Sequence, residues 1–303
     1  MIDITHKQTS LRTALASGEI KLTKETIPKI INNELPKGNL FDIARAAAYL
    51  GAKNTASLIP HCHPTPIESL DVKCEVDEAG SRVIVKALAK TIYKTGIEME
   101  AMTAVSIALL TIYDLLKPVD KKMEIGSIKL LEKTGGRSQQ MAELKKGLTA
   151  AVLVCSDSTA AGKRQDKSGL IIQEMLKTYG VEILAYEIVP DEPEQIQKNI
   201  IEWVKKDIAF VFTTGGTGLS PRDQTVDAVK SLFEQEAPGI GEAMRSYGMN
   251  MTPKAMHSRS VAGSIQTTLI VCLPGSSAGA RESLQAVLPG LFHARSMLKG
   301  GGH

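Results

Sequence analysis

Aromatic residues are scarce in this 303-residue chain, at 4%, and only four cysteines occur. One Trp, five Phe and six Tyr offer little surface for stacking bases, which argues against a nucleic-acid role. The cysteines, at 62, 74, 155 and 272, form no Cys-x-x-Cys pair, and their sparse spacing excludes a disulfide framework. Neither sign of charge dominates. Lys and Arg number 36 against 33 Asp and Glu, a net of +3, too small an excess for a general nucleic-acid binder. No stretch approaches the ~18 uninterrupted apolar residues of a membrane span. The best candidate, 101–113, is too short and contains Thr103, Ser106 and Thr111. The opening MIDITHKQTSLRT is polar from its third residue, so no secretory signal is expected. These absences together predict a cytoplasmic protein with no membrane partner.

Length points to two domains, since a typical domain holds ~150 residues. A hydrophobic content of 43% and a charged content of 23% fit globular protein. Charge is divided unevenly. Residues 1–147 hold 21 Lys and Arg against 17 Asp and Glu, a net of +4, whereas 148–303 hold 15 against 16. A basic first half suggests an anionic ligand. The polar stretch 137–147 lacks an apolar period and ends in Gly. The expected division is therefore a first domain at 1–138, a linker at 139–147 and a second domain at 148–303.

In the first half, apolar residues at 40, 43, 46, 47 and 50 mark one helical face over 39–50. Asp71–Val76 and Arg82–Thr91 are β-rich and bracket Asp77-Glu-Ala-Gly80, which reads as a hairpin. Thr95-Gly-Ile-Glu98 fits a capping box. The ~18 residues that follow are apolar nearly all round, the mark of a buried helix. Met123–Leu131 is a final strand. An antiparallel sheet with segregated helices indicates an α+β, ferredoxin-like fold. The second half alternates strands (148–155, 181–189, 208–213, 267–273) with helices (167–179, 193–205, 224–233, 278–288). That order predicts a three-layer α/β domain with a mostly parallel sheet.

Two glycine turns in the second half follow strands. Thr214-Gly-Gly-Thr-Gly218 precedes a helix start, an arrangement that brings backbone amides to an anion. It is also compatible with a simple tight turn. Asp223 and Asp227, four apart at that helix start, read either as cap and first-turn dipole partner or as Mg²⁺ ligands beside phosphate. The second turn, Leu273-Pro-Gly-Ser-Ser-Ala-Gly279, contains a literal Gly-x-Ser-x-Gly. A nucleophile elbow needs an acid and a histidine further on, and only 26 residues follow Ser277. A second anion-binding turn is expected instead.

Ser156-Asp157, Asp166-Lys-Ser-Gly169, Pro190-Asp191-Glu192, Thr214–Gly218, Arg222-Asp223, Pro238-Gly-Ile-Gly-Glu242, Ser258-Arg259 and Leu273-Pro-Gly275 occur in that order over roughly 150–299. This half resembles the molybdopterin adenylyltransferase (MogA/MoaB-like) family. The resemblance implies attack of a pterin's terminal phosphate on the α-phosphorus of ATP, with Mg²⁺ neutralising the phosphates. By motif position Asp191 and Asp223 are the functional acids and metal ligands. Thr214, Gly215, Gly216, Thr217, Gly218, Asp227, Pro274, Gly275 and Ser276 would hold nucleotide or pterin.

In the first half, His61, Cys62 and His63 stand together. Their chemistry allows a metal, hydrogen-bonding or acid/base work, or packing; no second Cys/His cluster accompanies them. Were the segment extended, Cys62 would point away from the histidines. Glu98 and Glu100, two apart, cannot share a helical face; one is expected to cap and the other to face a cleft or a neighbouring subunit. Asp114 and Lys117, three apart, share one face, as an ordinary ion pair or as an acid/base pair. Met1-Ile-Asp3, Lys37-Gly38, the Ile59–Pro64 segment, Lys94-Thr-Gly-Ile-Glu-Met-Glu-Ala101, Thr111-Ile-Tyr-Asp-Leu-Leu-Lys117 and Lys133-Thr-Gly-Gly136 resemble the cyclic pyranopterin monophosphate synthase (MoaC) family over about 1–138. The resemblance implies conversion of 3′,8-cyclo-7,8-dihydro-GTP to cyclic pyranopterin monophosphate with release of pyrophosphate. A triphosphate substrate requires cations. By motif position these are Arg12, Lys37 and Lys133, with Cys62, His63, Glu98, Met99 and Glu100 about the pterin. Lys117 would be the acid/base residue, oriented by Asp114. His61 stands where an apolar residue is expected.

The two resemblances together imply a bifunctional enzyme of molybdenum-cofactor biosynthesis. Its partners would be pterin and nucleotide substrates and other molybdenum-cofactor enzymes, and it would form a homohexamer or trimer. The rival readings of the second half are an inactive pterin-binding scaffold and an ATP-sensing regulatory module. Retention of Asp191 and Asp223 argues against the scaffold.

Overall fold

The computed structural model describes residues 1–136 and 147–301, which divide between two units. Of the expected linker, 139–146 lie outside the described residues.

The first unit runs β1 (Ser10–Lys21), α1 (Thr26–Ile31), α2 (Leu40–Lys53), α3 (Thr55–Leu58), β2 (Ser69–Asp77), β3 (Arg82–Tyr93), α4 (Glu98–Leu116) and β4 (Glu124–Thr134). Its four strands form an antiparallel sheet in the order β2-β3-β1-β4, the ferredoxin-like arrangement. The β2–β3 hairpin closes because the Asp77 carboxylate accepts from the Gly80 N–H (2.9 Å) and from Arg82 Nε (2.8 Å). Alternation then decides what the sheet buries. Val83, Val85, Ala87 and Ala89 of β3 and Ala14, Ala16 and Ile20 of β1 form the inner face. Small residues let α4 lie close: a Cβ at Gly18 would stand 2.8 Å from Leu109 Cδ1 and 2.8 Å from Val105 Cγ1.

Helix α4 is long and apolar enough to cross a membrane by length and composition, yet its Ala101, Ala104, Val105, Ala108, Leu109, Ile112 and Leu116 form this core. It is not apolar-buried all round: Leu110 is 58% exposed and Tyr113 also reaches solvent. Nor does Thr95 cap it. Ile97 occupies the N-cap without a side-chain bond, and the Glu98 carboxylate folds back over Gly96. The helix begins at Glu98, so the acid stands at the first helical position rather than the third that a capping box requires. Beyond α4, buried Asp120 accepts from Thr23 N (2.8 Å), Thr23 Oγ1 (3.0 Å), Thr26 Oγ1 (2.9 Å) and Lys122 N (2.9 Å), tying the loops after α4 and β1 together.

The second unit runs β5 (Thr149–Cys155), α5 (Asp157–Ala160), α6 (Ser168–Thr178), β6 (Glu182–Val189), α7 (Pro193–Lys205), β7 (Phe210–Thr214), α8 (Thr225–Lys230), β8 (Gln235–Glu236), α9 (Pro238–Met251), β9 (Ala262–Ile265), β10 (Thr268–Leu273), α10 (Ser277–Val287) and α11 (Ala294–Leu298). The sheet order is β6-β5-β7-β10-β9-β8. The first four strands are parallel, and β9 and β8 are antiparallel additions at one edge. Period-two alternation sends Val152, Phe212 and Val271 into one core, with Ile172, Met244 and Leu284. Leu153, Val211 and Ile270 enter the other, with Ile196, Ile200 and Trp203. Helices thus cover both faces, giving three layers.

Candidate active sites

In the first unit the implicated residues gather at the two ends of α4. At its C-terminal end the Asp114 carboxylate accepts from Lys117 Nζ (2.6 Å) and from Lys37 Nζ (3.2 Å), and Lys37 also donates to the Asp114 carbonyl (3.0 Å). The i, i+3 spacing supplies Lys117, and the loop before α2 supplies Lys37. Hydrogen bonds from the two ammonium groups hold the Asp114 carboxyl below its ordinary range. In return, the bond to Asp114 raises the Lys117 ammonium above its own.

At the other end Glu98 pairs with Lys133 (3.4 Å), while Glu100 is buried. Burial raises the Glu100 carboxyl, and the Glu98 charge adds to the rise. The two glutamates do diverge, but Glu98 meets a lysine instead of capping. Burial likewise raises the nearby Cys62 thiol, with the Glu100 charge adding to it. The Cys62 segment is turned rather than extended, its N–H bonding to the Ile59 carbonyl (3.0 Å), and His63 Nε2 lies 2.9 Å from the Ile2 carbonyl oxygen. His61 is exposed. Among the described residues no group of three His, Cys, Asp or Glu side chains is placed to hold a metal. Arg12 extends toward Gly136, where a Cβ would stand 2.1 Å from its guanidinium, and among the described residues its buried Nε has no hydrogen-bond partner. Met99 is 39% exposed at the same end of α4. Sixteen residues separate Glu98 from Asp114, which at ~1.5 Å rise each puts the two clusters about 24 Å apart.

In the second unit the C-terminal ends of the parallel strands open into one cleft of about 440 Å³, lined by Ser156, Asp157, Asp166, Asp191, Thr214, Gly215, Gly216, Arg222, Asp223, Gly275 and Ser276 among others. Crevices at such ends are where open α/β sheets bind ligands. The glycine turn fits this place for steric reasons. Gly215 (φ +104°) lies against β5, where a Cβ would stand 2.0 Å from the Cys155 carbonyl oxygen. Gly216 (φ +56°) lies against Asp191 and Thr225. Asp191 is buried; its carboxylate accepts from Thr225 Oγ1 (2.8 Å) and the Gln224 N–H (3.3 Å). Burial raises its proton affinity against those bonds, and the charges of Asp223 and Asp157 raise it further. The Asp223 carboxylate accepts from the Ser220 N–H (3.0 Å). Thr214 Oγ1 donates to the Pro274 carbonyl (2.8 Å), joining the two glycine turns. Ser276 caps α10 by accepting from the Gly279 N–H (3.1 Å), and Ser277 is the first helical residue. Thr217, within the turn, is buried. Asp227 lines a neighbouring depression with Asp223 and pairs with Arg259 (2.9 Å).

Four residues of the second site enter the sequence reading only as motif letters. Asp157 accepts from the Asp191 N–H (3.1 Å) and from Arg222 (2.8 Å), and these bonds hold its carboxyl below the ordinary range. Arg259 grips the glycine turn, donating through Nε to the Gly218 carbonyl (2.8 Å) and through Nη2 to the Asp223 carbonyl. Asp166, just before the Lys167 N-cap of α6, accepts from the first-turn Gly169 (3.0 Å) and Leu170 (3.1 Å) N–H groups. Of the four, only Arg222 stands beside an assigned residue, Asp223; the other three carry no local signal beyond their motifs.

The folds and sites define a two-site enzyme, with lysines clustered about one carboxylate in the first unit and carboxylates clustered about a glycine turn in the second. Residues 1–136 match the MoaC family, and residues 151–293 match the family described as a probable molybdopterin binding domain. The molybdenum cofactor biosynthesis bifunctional protein of Chlorobaculum tepidum is 42% identical over 303 residues, covering 100% of this chain and 96% of that protein. The cyclic pyranopterin monophosphate synthase of Syntrophomonas wolfei is 47% identical over 138 residues, covering 46% of this chain and 88% of that protein. Among solved structures, the molybdopterin biosynthesis enzyme MoaB of Thermus thermophilus is similar at 46% identity and a TM-score of 0.49, over 51% of this chain and 98% of that chain. The chain belongs to the family of bifunctional molybdenum cofactor biosynthesis proteins.

Proposed function

We propose that the chain catalyses two reactions of molybdenum-cofactor biosynthesis in the cytoplasm. Residues 1–138 convert 3′,8-cyclo-7,8-dihydro-GTP to cyclic pyranopterin monophosphate and pyrophosphate. Residues 148–303 transfer AMP from ATP to molybdopterin, and 139–147 join the two domains. The observation that carries this reading is likeness to a bifunctional relative over the whole chain.

In the first reaction Lys117 enters as an ammonium, because Asp114 raises its proton affinity; it therefore gives a proton before it accepts one. Lys37 holds the other side of Asp114. Arg12 and Lys133 bind the triphosphate, and Cys62, His63, Glu98, Met99 and Glu100 surround the pterin. A small-molecule pocket of up to ~1,000 Å³ is about 12 Å across. The two ends of α4, about 24 Å apart, cannot both line one such pocket within a single chain. A second copy supplies the missing end, which supports a symmetric homo-oligomer, a hexamer or trimer.

In the second reaction the polar cleft takes the nucleotide. A groove of about 190 Å³ that includes Met244, Thr252 and Ala278 meets the cleft at Ser276, so a ligand with a ring and a phosphate can straddle the turn. Phosphate oxygens meet the N–H groups of Gly215–Gly218 and the N-terminus of α10. A pterin phosphate oxygen attacks the α-phosphorus, the phosphoanhydride to AMP forms, and pyrophosphate leaves. Mg²⁺ is held by one or two carboxylates plus substrate phosphates, and the donor set of Asp191 and Asp223 beside a glycine turn fits that requirement. When bound, the ion would neutralise phosphate charge. Asp227, beside Asp223 in the adjoining depression, extends the nucleotide site.

The test supplies purified protein with molybdopterin, Mg²⁺ and α-labelled ATP. Label should move to the pterin and vanish in Asp223→Ala, with synthase activity retained; Lys117→Ala should show the reverse. Loss of both activities in either variant breaks the two-site reading. Absence of label from a sample with intact synthase activity makes the second half a binding or regulatory module.

A further inference from the structure

Arg222 has no part in the chemistry above, yet it is tied to the acidic wall of the cleft. Its Nε (3.2 Å) and Nη2 (2.8 Å) donate to Asp157 Oδ2, and Nη2 also reaches Glu192 (3.3 Å). Asp157 in turn holds the Asp191 N–H. Asp157 and Arg222 line the cleft, whereas Glu192 does not. Among the described residues no acceptor engages Nη1. The Arg222 side chain is 63% exposed, and ion pairs this exposed are held weakly.

These contacts leave the guanidinium with two unequal edges. Asp157 fixes the Nε–Nη2 edge. Only a long contact to Glu192 competes for the Nη1–Nη2 edge, which is the geometry that matches two phosphate oxygens. A polyphosphate entering the cleft meets Asp157, Asp166, Asp191 and Asp223 together with Arg164, Lys167 and Arg222, and of these cations Arg222 is the one bonded to the acids of the wall.

We propose that Arg222 is an exchangeable phosphate ligand: it keeps Asp157, releases Glu192 and presents its Nη1–Nη2 edge to a phosphate of the nucleotide. Glu192 is then a competitor that sets the affinity, and Asp157 is the residue that aims the fork. The proposal rests on the nucleotide reading of this cleft for the identity of the polyphosphate.

The test is calorimetric binding of Mg-ATP and of inorganic pyrophosphate to the full chain. Arg222→Ala should weaken binding about 10- to 100-fold, as expected for loss of a charged hydrogen-bond donor. Arg222→Lys should recover only part of it, because an ammonium lacks the fork. Glu192→Gln should tighten binding about 3- to 10-fold by removing the competitor, and that gain should disappear in the Arg222→Ala background. Synthase activity and a wild-type melting profile check that each variant is folded. Weaker or unchanged binding in Glu192→Gln overturns the proposal, since a merely structural tether predicts that result. Wild-type affinity in Arg222→Ala overturns it equally. Failure of the wild-type chain to bind either probe overturns the nucleotide reading and this proposal with it.

Discussion

Gly216→Ala tests whether the glycine turn and Asp191 form one unit. The backbone there has φ +56°, and an added Cβ would stand 2.2 Å from Thr225 Oγ1 and 2.4 Å from Asp191 Oδ2. Reaching even a tight contact of about 3.0 Å requires the carboxylate oxygen to retreat by roughly 0.6 Å. A left-handed conformation costs an L-residue about 1–2 kcal/mol, and overpacking adds about 1–3 kcal/mol. A loss of about 2–5 kcal/mol lowers the melting temperature of a unit of this size by roughly 5–15 °C. Displacement of a catalytic group by about 1 Å can cost about 100-fold in rate, so a retreat of roughly 0.6 Å should cost about 10-fold. Both activities should be measured at about 20 °C, below the transition: adenylyl transfer should fall about 10-fold while synthase turnover stays unchanged. Gly239→Ala is the control. It lies in α9 with nothing within 4 Å of an added Cβ, so it should gain about 0.5–1 kcal/mol from helix propensity. Wild-type adenylyl transfer in Gly216→Ala would refute the reasoning, as would equal loss of both activities.

Glu100→Gln should stabilise the first unit at pH 7. Burial raises the folded carboxyl, so its favourable contribution is complete below the unfolded value and is lost as pH rises through the folded one; thermal melts should show a gain at pH 7 that vanishes near pH 4. Asp120 has the opposite sign. Burial would raise the carboxyl, but its hydrogen bonds together outweigh burial and hold it below 3.8, so its stabilisation is present above that value and lost on acidification; Asp120→Ala should cost about 2–4 kcal/mol at pH 7 in denaturant melts, the gap narrowing below pH 3.8. Co-expressed, differently tagged Lys117→Ala and Glu100→Ala chains should regain synthase activity in the mixed oligomer, because each variant keeps the α4 end that the other lacks; inactivity of a verified mixed oligomer refutes the shared site.

What the sequence made legible followed from its apolar patterns. Continuous apolar runs before turns located β5, β7 and β10, the 3.6-residue pattern located α2, and a long apolar stretch located α4, each within a few residues. Strand β1 carried no clear alternating signal: Ala14, Ala16 and Gly18 on its inner face are small because α4 presses on them. Helix α9 was hidden for a related reason. Its Gly239, Gly241 and Gly248 read as loop, yet a Cβ at Gly241 would stand 2.8 Å from the Ser260 carbonyl and one at Gly248 would stand 2.8 Å from Ala255 Cβ. Close packing had replaced side-chain bulk at two of these three positions. The acids of the second site were visible beside glycine turns, but Asp157 and Arg222 act through contacts spanning 65 residues, which no local pattern reports. The division of about 24 Å between the ends of α4 required the helix to be placed.

The charge asymmetry between the halves now has a chemical sense. In the first site Asp114 is shared by two lysines, and Lys133 balances Glu98; Arg12 adds a further cation at that second end. A polyanion therefore meets positive charge that the protein already supplies. The second cleft gathers Asp157, Asp191 and Asp223 with Arg222 bonded among them. Its affinity for a polyphosphate must come from neutral donors, from the lining cations Arg164, Lys167 and Arg222 set against four lining aspartates, and from a cation that arrives with the ligand. The two sites should therefore respond differently to salt. Screening weakens the lysine-based site directly. In the acidic cleft it also relieves repulsion, so nucleotide binding there should lose less affinity per decade of added salt than triphosphate binding to the first site. Parallel titrations from low to high salt would measure both slopes on one chain, and equal slopes would contradict this assignment of charge to function.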